Sequence, residues 1–504
     1  TNRCGFVVLH PSAASGRELQ VTHTNGHIER TRFPDDISPS QPVFDIGCLS
    51  YQPASGIELE VRLEAQLPMD PAGKFEMEDQ RNWSDASFKT YVASLLDPWP
   101  YVLPAHKPLR QRVQLKATGT PTLLASKQSG AAFVTLGELT SCTMPTMGVG
   151  VPAGLSCAHA EEVEALRALG ARWWQVELDL RDDRLEADIR AIVLARRGLG
   201  VQIQGDVVAP DAMPPSDAAS RVADLCSQYD LTLEAVRFLP AALLQSFQPG
   251  DQWPDVPSHE AYVLAARTRF PAARVGSGAF TSFTELNRKK PSAEGIDFIG
   301  HLTCPIVHAP DDRSVMQTLE CLPHIERSVR THWPSTAYRL GPSTLAPRRN
   351  PYGFGTTPNP QGARVALADW DPRHNAALGA AWVVAYASTL AFSGLEVLTL
   401  LESHGPNGPL GGIPASQMTV AHAKAWAALR ILMQASDRPL LPLQGLPLQV
   451  SGLAWRGELM TTHVLLANTS AVKVDLMWDT TWDVQVRLPR ELGPFEILEF
   501  KVTG

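Results

Sequence analysis

Along the chain the spacing of apolar residues changes twice. From Phe6 to about Ala117 they come in short runs or alternate with polar residues, as in Phe6-Val-Val-Leu9, Leu59-Glu-Val-Arg-Leu63 and Val113-Gln-Leu115, and segments rich in Pro, Ser and Gly separate them. A period of two puts one apolar face on a sheet, so this stretch predicts β-structure. After Met147 short apolar runs alternate with amphipathic helical stretches. Strands are expected near Met147–Pro152, Arg172–Leu180, Leu199–Asp206, Leu233–Leu239, Arg274–Gly278, Asp297–His301, Tyr338–Gly341 and Leu395–Leu401. Helices are expected at Glu161–Leu169, Arg184–Arg196, Ala218–Gln228, Glu260–Arg269, Arg313–His324 and the more apolar Ala376–Leu390, with a last one near Ala421–Met433. Parallel neighbours need crossover connections, so eight such units predict a (β/α)8 TIM barrel. From Leu448 to Val502 alternation returns, in Met460–Leu466, Val472–Met477 and Phe495–Phe500. The expected fold is α/β, a TIM barrel flanked by N-terminal and C-terminal β-sandwich-like segments. With the small polar stretch Ala125–Gly130 as a boundary, the domains are a β-rich 1–130, a catalytic barrel 131–440 and a β domain 441–504.

Composition narrows the partners. A chain of 504 residues exceeds the size at which one core stops growing, so two or three domains are expected. The net charge of -8 is dispersed, with no basic run of three except Arg288-Lys-Lys290, which leaves no electrostatic footprint for nucleic acid or an anionic membrane. A small neutral or weakly anionic substrate remains; the oligomeric state is open. Seven cysteines at 4, 48, 142, 157, 226, 304 and 321 show no paired spacing, which points to free thiols, a reducing compartment and thus the cytoplasm. The longest uncharged stretch, Ala376–Leu395, is broken by Gly379, Ser388, Thr389, Ser393 and Gly394 and is expected to be a buried helix running into a strand.

The chemistry concentrates in two places. Between Phe75 and Tyr91 four acids, two bases, an amide pair and four aromatics share seventeen residues without helical or strand periodicity. That mixture suggests polar groups, among them Asp79, Arg81, Asn82 and Lys89, held around a polar ligand. The competing reading is a buried ion-pair knot of Arg81, Asp79 and Asp85 at a domain boundary. The second place is the C-terminal rim of the barrel, where active sites of this fold lie. There the strands end in Glu177 and Asp179, Gln204 and Asp206, Arg237, Glu285, the trio His301, Thr303 and His308, the run Arg348 to Asn350, and Glu402, Ser403 and His404.

Glu285 is the favoured general base, because it follows the fifth strand beside Phe280, Phe283 and Leu286, which can desolvate it and raise its pKa. A Glu at a helix start that satisfies free backbone NH groups is the plainer alternative. His301 is a second candidate base or oxyanion donor, and Glu402 completes the catalytic set. Glu177, His308, Arg348 and Asn350 are candidates for holding substrate. The His301-x6-His308 pair invites a metal, but no His-Glu-x-x-His, His-x-His or Cys/His cluster accompanies it, so no metal ligand is assigned. The nearest string to a nucleophile elbow is Gly154-Leu-Ser-Cys-Ala158, and there is no Gly-x-Gly-x-x-Gly or Walker pattern, so neither a serine hydrolase nor a nucleotide cofactor is expected. Gly405–Gly412 is expected to be a βα loop closing over the pocket, or a plain turn.

Residues Glu78 to Tyr91 resemble a signature of the D-apionate lactonase family, sugar-lactone hydrolases of apiose degradation. Arg3–Pro11, Phe283-Thr-Glu-Leu-Asn-Arg288, Cys304–Val315 and Gly341–Gly353 resemble further blocks of that family in the same order, so the likeness spans nearly the whole chain. It implies a carboxylic-ester hydrolase acting on a sugar-acid lactone, D-apionolactone to D-apionate, with water attacking the ring carbonyl under base assistance. Family members carry a β-rich segment ahead of the first block, whereas this chain opens at Thr1, so a truncated first domain is expected. Two rival functions stand beside this one. A retaining glycosidase of the barrel-plus-sandwich type needs carboxyls about 5 Å apart, often after the fourth and seventh strands. Here those strands, Glu234–Pro240 and Tyr338–Ser343, end without one, although Glu285 with Glu402 is another possible pair. A non-catalytic carbohydrate-binding protein would bind without turnover, and needs fewer ionisable groups than this rim carries.

Overall fold

The computed structural model describes residues 5–503 apart from 67–73, 121–132, 156–159, 410–423 and positions 96, 98, 99, 101, 104, 107, 459, 460, 480, 485 and 486. The expected boundary at 125–130, most of the string at 154–158, the far end of the 405–412 loop, the helix start at 421–423 and Met460 therefore lie outside the described residues. The chain forms two compact units, 1–130 and 131–504.

The first unit is an antiparallel sheet. Across it run Val7–Pro11, Ser87–Val92, Phe75–Asp79, Val43–Ala54, Glu18–His23 and Ile28–Arg32, while Ile57–Gln66 joins Val43–Ala54 to Arg110–Gly119. Alternation works as the sequence indicates: in Ile57–Gln66, Val61, Leu63 and Ala65 are buried while Arg62 and Glu64 are exposed. Phe33, Ile46, Leu49, Phe75 and Phe88 fill the core beneath.

In the second unit eight parallel strands close into a barrel: Thr146–Val151, Trp173–Asp179, Gln202–Ala209, Ala235–Pro240, Arg274–Ser282, Phe298–Leu302, Ala337–Ser343 and Val397–Glu402. Each lies where the apolar rhythm placed it. Two helical details differ. A seven-residue helix, Phe283–Lys289, connects the fifth and sixth strands and is too short for periodicity to reveal. The single helix expected over Arg313–His324 is instead Asp312–Gln317, a 3-10 turn Thr318–Cys321, and Leu322–His332. Pro323 sits in the first turn of the last, where its missing N–H costs nothing and its fixed φ restarts the helix.

A five-stranded antiparallel sheet follows, in the order Leu440–Leu441, Val450–Arg456, Thr461–Asn468, Ile497–Thr503 and Asp483–Val484. Of the expected strand Val472–Met477 only Val474–Asp475 pairs, with Glu491–Leu492. The helix Ala377–Leu390 packs against Val450–Arg456 and Thr461–Asn468 as well as inside its own barrel layer. It is therefore buried on nearly all sides, which is why it is apolar all round. Among the described residues no helix is long and apolar enough to cross a membrane.

The barrel interior is polar above its lowest layer. That layer is Trp173, Ala235, Phe298 and Val397, one residue from each even strand. The Arg339 guanidinium lies over the rings of Trp173 and Phe298, at 4.7 and 3.8 Å, and donates to Gln204 Oε1 at 2.9 Å. Higher still, Asp206 takes both arms of Arg237 (Nε 2.7 Å, Nη2 2.8 Å) together with Gln175 at 2.7 Å and Gln204 at 2.9 Å. Glycine makes room for these side chains. A Cβ on Gly300 would lie 2.7 Å from Arg237 Nη1, and one on Gly278, at φ +132°, would meet the Gly300 carbonyl oxygen at 1.9 Å.

Burial drives the Asp206 carboxyl upward, but the charge of Arg237 and the surrounding donors outweigh it and hold Asp206 below the usual carboxylate range. Asp206→Ala leaves Arg237 charged, buried and unpaired, and is expected to cost about 3–5 kcal/mol in urea unfolding at neutral pH. Because the native pKa is depressed, the contribution is complete above the unfolded value of about 3.9 and disappears as pH falls through the native one. A cost below about 1 kcal/mol at pH 7 would show that the pair is not what satisfies the barrel interior.

Candidate active site at the C-terminal rim of the barrel

Trp173, Gln175 and Glu177 alternate inward along the second strand, so Glu177 reaches the rim above the polar interior. The eighth strand ends at Glu402. There Leu401 takes a left-handed φ of 60° and the pairing with the first strand shifts register, so the chain bends at this carboxylate. The loop after the seventh strand supplies the cations. Arg348 donates from Nε to Glu402 Oε1 at 2.5 Å and from Nη2 to Glu177 Oε2 at 2.8 Å. Arg349 grips Glu177 with both arms, at 2.9 and 2.6 Å. Asp179 is held by Arg181 (2.9 and 2.7 Å) with Arg349 at 4.0 Å. Asn407 donates to Glu402 Oε2 at 3.3 Å. Burial pushes the Glu402 carboxyl up despite Arg348 and Asn407, so it keeps a proton more readily than a free glutamate.

Glu285 has a different environment. It sits in the first turn of Phe283–Lys289, 1% exposed, and among the described residues neither carboxylate oxygen has a hydrogen-bond partner. Such a group is costly to bury and marks a place where a ligand or water belongs. Tyr352 stands beside it, with its hydroxyl donating to Thr284 Oγ1 at 3.3 Å. One turn on, Lys289 donates to the carbonyls of Leu243 (2.6 Å) and Gln245 (3.0 Å), and burial lowers it to about 8 against the opposing pull of Glu285. Arg348 and Tyr352 belong to one five-residue segment, so the same piece of loop reaches Glu177 and Glu402 at one end and the Glu285 turn at the other.

Other expected site residues lie elsewhere. Phe298 and Gly300 face the barrel interior, so His301 between them and Leu302 points outward to the helix layer. Its nitrogens meet the Leu302 carbonyl oxygen (2.9 Å) and the Tyr338 hydroxyl (2.7 Å), and burial lowers it to about 4, so it is a neutral structural histidine here rather than a rim base. Thr303 likewise bonds Ser343 and Tyr386. His308 is exposed on the following loop. Among the described residues no group of three or more His, Cys, Asp or Glu is placed to hold a metal ion. Asn350 folds onto its own loop, donating to Gly355 O at 2.8 Å and accepting from Tyr352 N at 2.9 Å, and so sets the turn that carries Tyr352.

In the first unit, Arg81 is fully buried and its donors are spent on Asp79 (2.8 and 2.7 Å), Ser15 Oγ (3.0 Å) and the carbonyls of Pro34 (2.8 Å) and Asp35 (3.2 Å). Asn82 donates to the Ser38 and Asp79 carbonyls, and Lys89 pairs with Glu78 over the Tyr91 ring. Asp79, Arg81 and Asn82 thus tie the 34–38 segment to the turn Gln80–Trp83, an internal knot rather than an open ligand site. Sequence reasoning missed Tyr352, and also His374, which is buried against the Asn407 backbone with its pKa lowered by burial to about 4. The polar run Asp371-Pro-Arg-His-Asn375 ahead of an apolar helix was the available signal for the second.

Comparison with known proteins adds the following. Residues 147–437 match the family model described as D-apionate lactonase, TIM barrel domain, and residues 1–120 match D-apionate lactonase, N-terminal domain. The chain is 39% identical over 418 residues to a D-apionate lactonase of Brucella anthropi, covering 82% of this chain and 67% of that one. Among solved structures, a GH30 endoxylanase from Clostridium papyrosolvens aligns with 74% of this chain and 100% of its own at 10% identity and a TM-score of 0.48. A GH51 arabinofuranosidase from Xanthomonas axonopodis pv. citri does so over 74% and 100%, at 10% identity and 0.47. The fourth and seventh strands here end in Pro240 and Ser343, without the carboxylates that a retaining pair would place there.

Removing Arg348 leaves Glu402 with Asn407 alone. Arg348→Ala is therefore expected to raise the Glu402 pKa further in a carboxyl 13C NMR titration. An unchanged value would mean that the arginine does not set the charge of this carboxyl.

Proposed function

The chain belongs to the D-apionate lactonase family, and from that premise we propose that it opens the ring of D-apionolactone with water to give D-apionate, using the carboxylates of the barrel rim. The activity reading rests on the match of both family models and on the 39% identical relative. One structural observation supports the assignment of the base: among the described residues the two oxygens of Glu285 have no hydrogen-bond partner, whereas Glu177, Asp179 and Glu402 are each held by arginine.

In this mechanism Glu285 takes a proton from water as the oxygen attacks the ring carbonyl carbon. Arg348 donates to the oxygen that becomes negative; its fork is set by Glu177 and Glu402, so little reorganisation is needed when charge develops. The tetrahedral intermediate then collapses, the C–O bond of the ring breaks, and the departing alkoxide takes a proton. Glu402, whose carboxyl is pushed up by burial, supplies it. Glu177 positions both arginines. The five described cysteines Cys48, Cys142, Cys226, Cys304 and Cys321 are free thiols, which supports a reducing, cytoplasmic setting.

The test is proton release from D-apionolactone in weakly buffered indicator solution. Glu285→Gln should fold with unchanged Tm and lose about 100- to 10,000-fold in kcat; near-normal turnover by the folded variant would remove Glu285 from the mechanism. Turnover is expected to survive EDTA, and its loss there would replace the carboxylate reading with a metal one. A proton donor must be protonated to act, so wild-type kcat/KM should fall as pH rises through the Glu402 pKa. Glu402→Gln should lower the rate and abolish that alkaline limb; an unchanged limb would assign the donor elsewhere.

A further inference from the structure

The opposite end of the barrel carries a concavity of its own. Its volume is about 660 Å³, and it opens between the start of the second barrel strand, the last barrel helix Lys424–Ala435 and the C-terminal sheet. Four cations line it, Arg172, Arg430, Arg438 and Lys501, against one carboxylate, Glu458. Glu458 offsets little of this charge: it lies 3.5 Å from Arg438 with a side chain 82% exposed. Arg172 has a partner outside the lining, Asp437 at 3.2 Å, but among the described residues Arg430 and Lys501 have none.

The wall holds a second feature. His463 is stacked on Trp455 with ring centroids 5.1 Å apart and pairs across the strands with Trp455 on one side and Lys501 on the other. It is only 9% exposed, and its Nδ1 lies 4.0 Å from a carboxylate oxygen of Glu499. A concave site lined by four cations, two of them without a carboxylate partner among the described residues, over an aromatic floor has the chemistry of an oxyanion receptor. Catalytic groups of a TIM barrel gather at the other end, so this site is not an extension of the lactone pocket.

We propose that this cavity at the N-terminal end of the barrel binds a small, multiply charged oxyanion, a phosphate monoester or a polycarboxylate. The anion sits among Arg172, Arg430, Arg438 and Lys501 and joins the barrel to the C-terminal sheet, so occupancy stabilises the second unit.

The experiment is thermal unfolding of the full chain in increasing inorganic phosphate and, separately, citrate, each against sodium chloride at matched ionic strength. The expected result is a saturable rise in Tm of roughly 2–5 °C beyond chloride. The double variant Arg430→Ser with Lys501→Ser should lose that rise while keeping the wild-type Tm in chloride and the wild-type lactone turnover, since both side chains are on the surface and far from the rim. Saturation by phosphate alone would assign phosphate esters as the class, and by citrate alone polycarboxylates. A shift no larger than that of chloride, or one that persists in the double variant, would overturn the proposal. Because the readout is binding, it is independent of whether Glu285 is the base.

Discussion

A charged pair inside a barrel has to be satisfied on every side, and Arg237 with Asp206 imposes that condition on the strands around it. Gln175 and Gln204 are turned toward Asp206, Gln204 is shared with Arg339, and Arg339 lies on the aromatic floor of Trp173 and Phe298. Gly278 and Gly300 must be glycines, because a Cβ at either would meet backbone or the guanidinium. A TIM barrel is ordinarily filled with branched apolar side chains. Here the filling is a fixed polar scaffold, and the rim carboxylates stand on top of it.

That scaffold explains how the rim can separate two kinds of carboxylate. Glu177 and Glu402 are bridged by Arg348, so both carboxyl groups are held and oriented. Glu285 rises from a short helix after the fifth strand, beside the loop bearing Tyr352, and has no such partner among the described residues. A paired carboxylate is a poor base, since its lone pairs are occupied; an unpaired one has its lone pairs open to a water. The proposed division of labour between Glu285 and Glu402 rests on that difference in surroundings.

How much of this the sequence revealed depends on the period of the signal. Eight strands were legible because each is a short apolar run bounded by an amphipathic helix, and a lone acid after the fifth run among aromatic residues is what singles out Glu285 as a candidate. His301 was not. The sixth strand, Phe298-Ile-Gly-His-Leu302, is buried on both faces, so alternation gives no hint of which side faces the interior, and a one-residue change of parity moves the histidine from rim to helix layer. The Phe75–Tyr91 stretch was ambiguous for another reason: an ion-pair knot and a ligand cradle draw on the same residue types, and only the positions of the Pro34 and Asp35 carbonyls show where the donors of Arg81 go. Tyr352 carried no signal because its relation to Glu285 is made by the fold and not by spacing.

The most direct measurement is a crystal structure with the lactam analogue of D-apionolactone, in which a slow-reacting amide replaces the ring ester. The predicted result is a carbonyl oxygen within hydrogen-bond reach of Arg348 and an ordered water about 2.6–3.2 Å from a Glu285 oxygen, facing the carbonyl carbon. A lactam seated with its carbonyl away from Arg348, or with Glu285 turned from the ring and no water between them, would contradict the assignment of these residues to lactone opening.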